Sequence, residues 1–174
     1  MSKETILAEY AALLGKNART ILEIGTHLGD TAIILAKHSP DHVYVYTVDV
    51  GARWEWEGRD LESYADFLQK KFEGQNIFFL LGYSHFREDS HIVPWGLGGI
   101  DLLFIDGDHN YDAVMSDLIR WASKVMPGGY MILHDYVAGE EYKVYGACED
   151  YIHAHLEWEE LGLEGTTIVF QKEE

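Results

Sequence analysis

One cysteine, thirteen Lys and Arg against thirty Asp and Glu, and no apolar run of membrane length set the first limits on this 174-residue chain. A lone thiol, Cys148, cannot close an internal disulfide and fits a reducing, cytoplasmic setting. A membrane span needs ~20 consecutive apolar residues, and nothing here approaches that. The start, Met1-Ser2-Lys3-Glu4-Thr5, lacks the basic region and apolar core of a secretion signal. The shortage of cations excludes most. A net charge of −17 repels polyanions over a Debye length and leaves no basic stripe for a phosphate backbone. DNA, RNA and anionic membranes are thereby excluded as partners, and a small molecule is left by elimination. Internal repeats, low-complexity segments and Pro/Gly/Ser linkers are also missing.

What is present is a folding sequence. Hydrophobic residues make up 47% and aromatics 13%, a globular composition, and the length predicts a single domain over 1–174. Apolar spacing predicts helices over 3–14, 30–38, 60–73, 111–125 and about 142–155. Strands are predicted over 21–25, 43–49, 77–81, 101–105 and 130–133, then near 156–161 and 166–171 around a turn at Glu164-Gly165. Residues 84–97 read as a short helix interrupted at Pro94. Five strand–helix alternations followed by a hairpin predict an α/β fold. It has a seven-stranded, mostly parallel sheet with helices on both faces and an antiparallel C-terminal pair. The core runs over 20–171 behind one short N-terminal helix.

In such sheets ligands bind outside the carboxyl ends of the strands. The first strand leads into Glu23-Ile24-Gly25-Thr26-His27-Leu28-Gly29-Asp30, a glycine turn opening a helix. Its E-x-G-x-x-x-G spacing is not the G-x-G-x-x-G that seats a pyrophosphate. An acid directly before the turn repels phosphate and favours a nucleoside-like, partly cationic ligand. A tight turn that binds nothing is the alternative. Strand two ends at Asp49, an acceptor suited to two ribose hydroxyls, and strand three at Gly82-Tyr83-Ser84. Strand four ends at Asp106-Gly107-Asp108-His109 and strand five at His134-Asp135-Tyr136. Helix capping is an alternative role for Asp106, Asp108 and His109, and a buried structural hydrogen bond for His134-Asp135. His27 either touches a ligand or only occupies the turn. Trp54, Trp56 and Trp95 are candidates for a self-association surface, or Trp54 and Trp56 for a cover over the pocket.

Taken together, E-I-G-T-H-L-G at 23–29, Asp49, D-L-L-F-I-D-G-D-H-N-Y at 101–111, P-G-G at 127–129 and H-D-Y at 134–136 resemble a known family. It is the class I S-adenosylmethionine-dependent methyltransferases, in particular a small-molecule O-methyltransferase subgroup of the family 24 type. The resemblance covers 20–171. It implies S-adenosylmethionine as cofactor and a hydroxyl of a sugar, phenol or secondary metabolite as acceptor. Glu23 and Gly25 would then face the methionine part, Asp49 the ribose, and Tyr83 and Ser84 the adenine, with Thr26, His27 and Gly29 of the turn also at the cofactor. Asp106 would serve cofactor and catalysis, and His109 would be the general base. In metal-using relatives the acid matching Asp106 binds a divalent ion together with two acids after strand five. This chain has His134-Asp135 there, a set that suits Mn²⁺, Fe²⁺ or Zn²⁺ better than Mg²⁺. A catalytically silent module that keeps only the cofactor pocket is the competing reading.

Overall fold

The structure, a computed structural model, describes residues 1–84 and 99–174, the side chain of Arg53 excepted. The predicted interrupted helix over 84–97, with Trp95, therefore lies almost wholly outside the described residues. Helix α1 (Lys3–Leu13) precedes β1 (Thr20–Ile24), α2 (Asp30–His38), β2 (Tyr44–Asp49), the short α3 (Ala52–Trp56), α4 (Leu61–Lys71) and β3 (Ile77–Leu81). Then follow β4 (Ile100–Ile105), α5 (Tyr111–Trp121), β5 (Val125–Leu133), α6 (Val144–Ala154), β6 (Trp158–Glu164) and β7 (Thr167–Lys172). The strands form one sheet in the order β3-β2-β1-β4-β5-β7-β6. The first five run parallel, and β7 is antiparallel to both β5 and β6.

Burial explains the near-continuous apolar strands. All five residues of β1 are buried, and alternate residues feed two cores. Leu22, Leu103, Ile105 and Leu133 face Leu118, Trp121 and Tyr151 of α5 and α6. Ile21, Leu102, Phe104 and Ile132 face Leu7, Leu35 and Leu68 of α1, α2 and α4. A strand covered on both faces has no solvent side on which to alternate. Cys148 lies fully buried in the first core, and burial pushes its thiol well above the ordinary range. Among the described residues no helix is long and apolar enough to cross a membrane.

Two departures from the sequence expectation have local causes. Helix α5 stops at Trp121 and tightens into a 3-10 turn at Ala122–Lys124, a common way to end a helix. Strand β5 starts at Val125 rather than at Tyr130. Val125 pairs with Ile100 and Tyr130 with Leu102, so Pro127-Gly128-Gly129 bulges out between two paired ends. Gly129 permits this, because a Cβ there would lie 2.9 Å from the carbonyl oxygens of Asp101 and Met126. The helix Ala52–Trp56 was not expected at all, since five residues are too few to show a helical period.

The chain steps outward from β1 through β2 to β3, then returns to β4 on the other side of β1. The reversal opens a crevice at the carboxyl ends of β1 and β4, the position where open α/β sheets bind ligands.

Candidate active site

A cavity of about 630 Å³ occupies that crevice. Gly25 and His27 line it from the turn after β1, Asp49 from the end of β2, and Asp106 and His109 from the loop after β4. Gly25 is required by close approach: its φ is +99°, and a Cβ would run into the backbone carbonyl of Asp106. His27 also adopts a left-handed φ, +47°, held by two partners. Its backbone N–H donates to Asp49 Oδ2 at 2.8 Å, and Tyr64 Oη donates to its carbonyl at 2.7 Å. Asp49 Oδ1 accepts from Gly51 N at 2.7 Å. Each carboxylate oxygen has two lone pairs, so Asp49 keeps acceptor capacity towards the cavity while bracing both loops.

The rest of the glycine turn lies beneath the cavity rather than in its wall. Glu23 is fully buried and accepts from the hydroxyls of Thr31 and Thr47. The Thr26 hydroxyl, also buried, pairs with that of Thr47 at 2.6 Å. Gly29 caps α2 with φ +79°, where a Cβ would press into the Phe72 ring. These three residues, expected at the cofactor, are not among those that line the cavity, and their contacts set the shape of the turn. The reason is strand periodicity: Glu23 shares its face with Ile21 and so points towards α2, which supplies Thr31.

Burial pushes the Glu23 carboxyl up from 4.5 to about 7, against the lowering effect of the two threonine hydroxyls. Below 4.5 folded and unfolded chains both hold this proton. Between 4.5 and about 7 only the folded chain does, so Glu23's contribution to stability is lost as pH rises through that window. Glu23→Gln is expected to remove that fall, so that stability on the order of 3 kcal/mol lost by the wild type across the window is not lost by the variant. Thermal denaturation of both proteins from about pH 5 to pH 8 checks it, and parallel curves would refute it.

Tyr83 and Ser84 line the opposite side of the cavity with Asp117 of α5. Ser84 donates its hydroxyl to Asp117, and Trp121 Nε1 donates to the Ser84 carbonyl at 2.9 Å. Asp117 was missed from sequence although it left a trace. It is a buried acid on the apolar stripe Val114, Leu118, Trp121. Trp54 neither lines the cavity nor stands free; it packs on Tyr64 and Phe67 under the Arg59 guanidinium. Trp56 remains exposed.

Beside the cavity the ends of β4 and β5 bring the remaining polar residues together. Asp106, His134 and Asp135 place one ligand-type atom each within 4.8 Å of one another. His134 Nδ1 lies 3.2 Å from Asp106 Oδ1 and 3.3 Å from Asp135 Oδ1. His109 Nε2 is 3.2 Å from Asp135 Oδ2 and 3.9 Å from Asp106 Oδ1. Asp135 is held at φ +57°, in the left-handed region that a non-glycine residue occupies at some cost. Asp106 Oδ2 is taken by Lys3 Nζ at 2.6 Å, from the first turn of α1. Burial alone would raise the Asp106 carboxyl, yet the hydrogen bonds from His134 and Lys3 hold it below its ordinary value. The same Asp106 hydrogen bond raises His134.

A family model described as a methyltransferase domain, family 24, matches residues 22–136. The chain belongs to that family. The methyltransferase fold recurs in an O-methyltransferase from Bacillus cereus solved with S-adenosylhomocysteine, at 20% identity, TM-score 0.75, and coverage of 100% of this chain and 82% of that one. The O-methyltransferase NovP gives 18% identity, TM-score 0.74, and coverage of 99% and 80%. TomG from Streptomyces achromogenes, solved with S-adenosylmethionine, gives 17% identity, TM-score 0.70, and coverage of 99% and 80%. Uncharacterized protein R132 of Acanthamoeba polyphaga mimivirus is 27% identical over 131 residues, 75% of this chain. The methyltransferase chain spans 58% of that relative's length.

The donors for a divalent ion are thus assembled but already engaged. Both oxygens of Asp106 have partners, one of them an ammonium group. His134 Nδ1 is hydrogen-bonded to Asp106 Oδ1, with Asp135 Oδ1 close by, so the imidazole is turned towards the acids it would share with an ion. As arranged, these residues do not fit a metal ion. Lys3 gave no sign of this in the sequence, where a lysine in a first helical turn reads as surface.

Proposed function

We propose that the protein transfers the methyl group of S-adenosylmethionine to a hydroxyl of a small molecule, a sugar, phenol or secondary metabolite, with His109 as general base. One observation carries the reading: a single cavity joins a glycine turn, the Asp49 carboxylate and a half-exposed imidazole. The Asp49 carboxylate accepts the two ribose hydroxyls, the Gly25 turn takes the methionine side, and Tyr83 and Ser84 face the adenine. The two neighbours solved with S-adenosyl ligands support that choice of cofactor.

The reaction forms an O–C bond and breaks the S–C bond of the sulfonium, whose sulfur keeps the electron pair. The hydroxyl proton must leave. His109 Nε2 stands 3.2 Å from Asp135 Oδ2, so the carboxylate steadies the ring, and a neutral imidazole has a nitrogen lone pair to take that proton. Asp135 then stabilises the imidazolium that forms. Alignment of acceptor and methyl supplies the rest.

The test is to incubate the protein with S-adenosylmethionine and a panel of phenols, catechols and sugars, and to measure S-adenosylhomocysteine. Cofactor binding with acceptor-dependent product is expected. Binding without turnover on any acceptor would establish a silent cofactor-binding module instead, and no binding would overturn the reading altogether.

A further inference from the structure

We propose that Lys3 is a built-in counter-cation that takes the carboxylate a divalent ion would need, so that methyl transfer here is metal-independent and selects acceptors by one hydroxyl. The proposal rests on the reading of the site as a methyltransferase centre. Lys3 is placed by the fold and does not wander from the surface. Ser2 caps α1 through its hydroxyl, and Ile6, Leu7 and Ala11 bury the helix in the core shared with α2. The pair it forms with Asp106 is short, 2.6 Å, and both side chains are largely shielded, 21% and 14% exposed. Charge-assisted contacts of that length in a shielded place are the strong ones.

Cation exclusion follows from position. A divalent ion binds carboxylate oxygen at ~2.0–2.6 Å, so on Asp106 it would stand within a few ångström of the ammonium. Ion and ammonium repel, and one of them must leave. The remaining oxygens have imidazole neighbours. Asp106 Oδ1 and Asp135 Oδ1 both face His134 Nδ1, and Asp135 Oδ2 faces His109. The cluster is therefore a network of two acids, one ammonium and two imidazoles in which the ammonium already stands as the fixed cation.

The consequence reaches the substrate. A metal with open positions rewards a vicinal diol, because two hydroxyls chelate where one only coordinates. An ammonium already bound to a carboxylate offers no chelation. Deprotonation then falls on His109 alone, so the second hydroxyl of a vicinal diol such as a catechol brings no advantage over a single hydroxyl of the same acidity.

Mn²⁺ binding, measured by calorimetry and by the loss of the free-ion resonance signal, tests this without any acceptor. The wild type is expected to show no site in the micromolar range. Lys3→Ala should gain one, tighter by about tenfold or more than anything in the wild type, because the repelling charge is gone. Adding Asp106→Asn to Lys3→Ala should abolish it. Lys3→Met, which keeps the aliphatic stem, must behave like Lys3→Ala. A micromolar Mn²⁺ site in the wild type that is lost with Asp106→Asn would overturn the proposal, and so would a lysine-free variant that gains nothing. S-adenosylmethionine titrated into the same samples reads the underlying assignment separately. If it fails to bind, the methyltransferase reading falls while the Mn²⁺ result still decides the role of Lys3.

Discussion

Replacing His109 with alanine is expected to cut turnover by about 10²–10⁴-fold while S-adenosylmethionine binds as before, the usual loss when a general base is removed. The selectivity of that effect comes from where the imidazole stands. His109 lies in the loop after β4, towards α5, whereas Gly25 and Asp49, proposed to hold the cofactor, lie on the turns after β1 and β2. Its ring is half exposed and contacts Asp135 rather than the core, so deletion opens no cavity. Two readouts separate base from scaffold. In His109→Ala the rate should fall while cofactor affinity stays, whereas the loss of a merely structural residue would weaken both. Asp135→Asn should lower turnover less, because the imidazole keeps its place but loses the carboxylate beside it. Full activity in His109→Ala would remove the base from the mechanism and leave catalysis to alignment alone.

The parallel strands were legible because a run buried on both faces must be apolar and β-branched, as in Tyr44–Asp49 and Ile100–Ile105. The carboxyl-end rule then found Gly25, Asp49, Asp106 and His109, since which strand ends share an edge follows from topology alone. Facing was harder. Glu23 looked like a ligand contact because it precedes the turn, but its place in the strand period sends it under α2 to Thr31 and Thr47. Pro127-Gly128-Gly129 reads locally as a loop, and only pairing on both sides draws it into β5. Lys3 was out of reach altogether. Its partner Asp106 is 103 positions away, and nothing in the first turn of a helix announces which loop its charge will meet.

The second large effect is expected at Asp49, where alanine should weaken S-adenosylmethionine or S-adenosylhomocysteine by about 100-fold. Hydrogen bonds to a charged acceptor are worth ~1.5–3 kcal/mol, and every ~1.4 kcal/mol is tenfold in affinity. Part of any loss could come from the protein instead of the ligand. Asp49 also holds the backbone N–H groups of His27 and Gly51, so its removal loosens both loops around the cavity. Asparagine is a poor control, because its amide NH₂ would face one of those two donors. Changing the ligand avoids the difficulty. A 2′-deoxy analogue of S-adenosylhomocysteine lacks one hydroxyl but leaves the loops untouched. In the wild type it should bind more weakly than the parent by about tenfold. In Asp49→Ala the two ligands should bind alike, because the hydroxyl has lost its acceptor. The difference between the two comparisons isolates the contact itself. If the deoxy penalty persists undiminished in Asp49→Ala, the acid braces the loops and does not read the ribose. NAD should bind neither protein measurably, since the turn after β1 lacks the glycine spacing that a pyrophosphate requires.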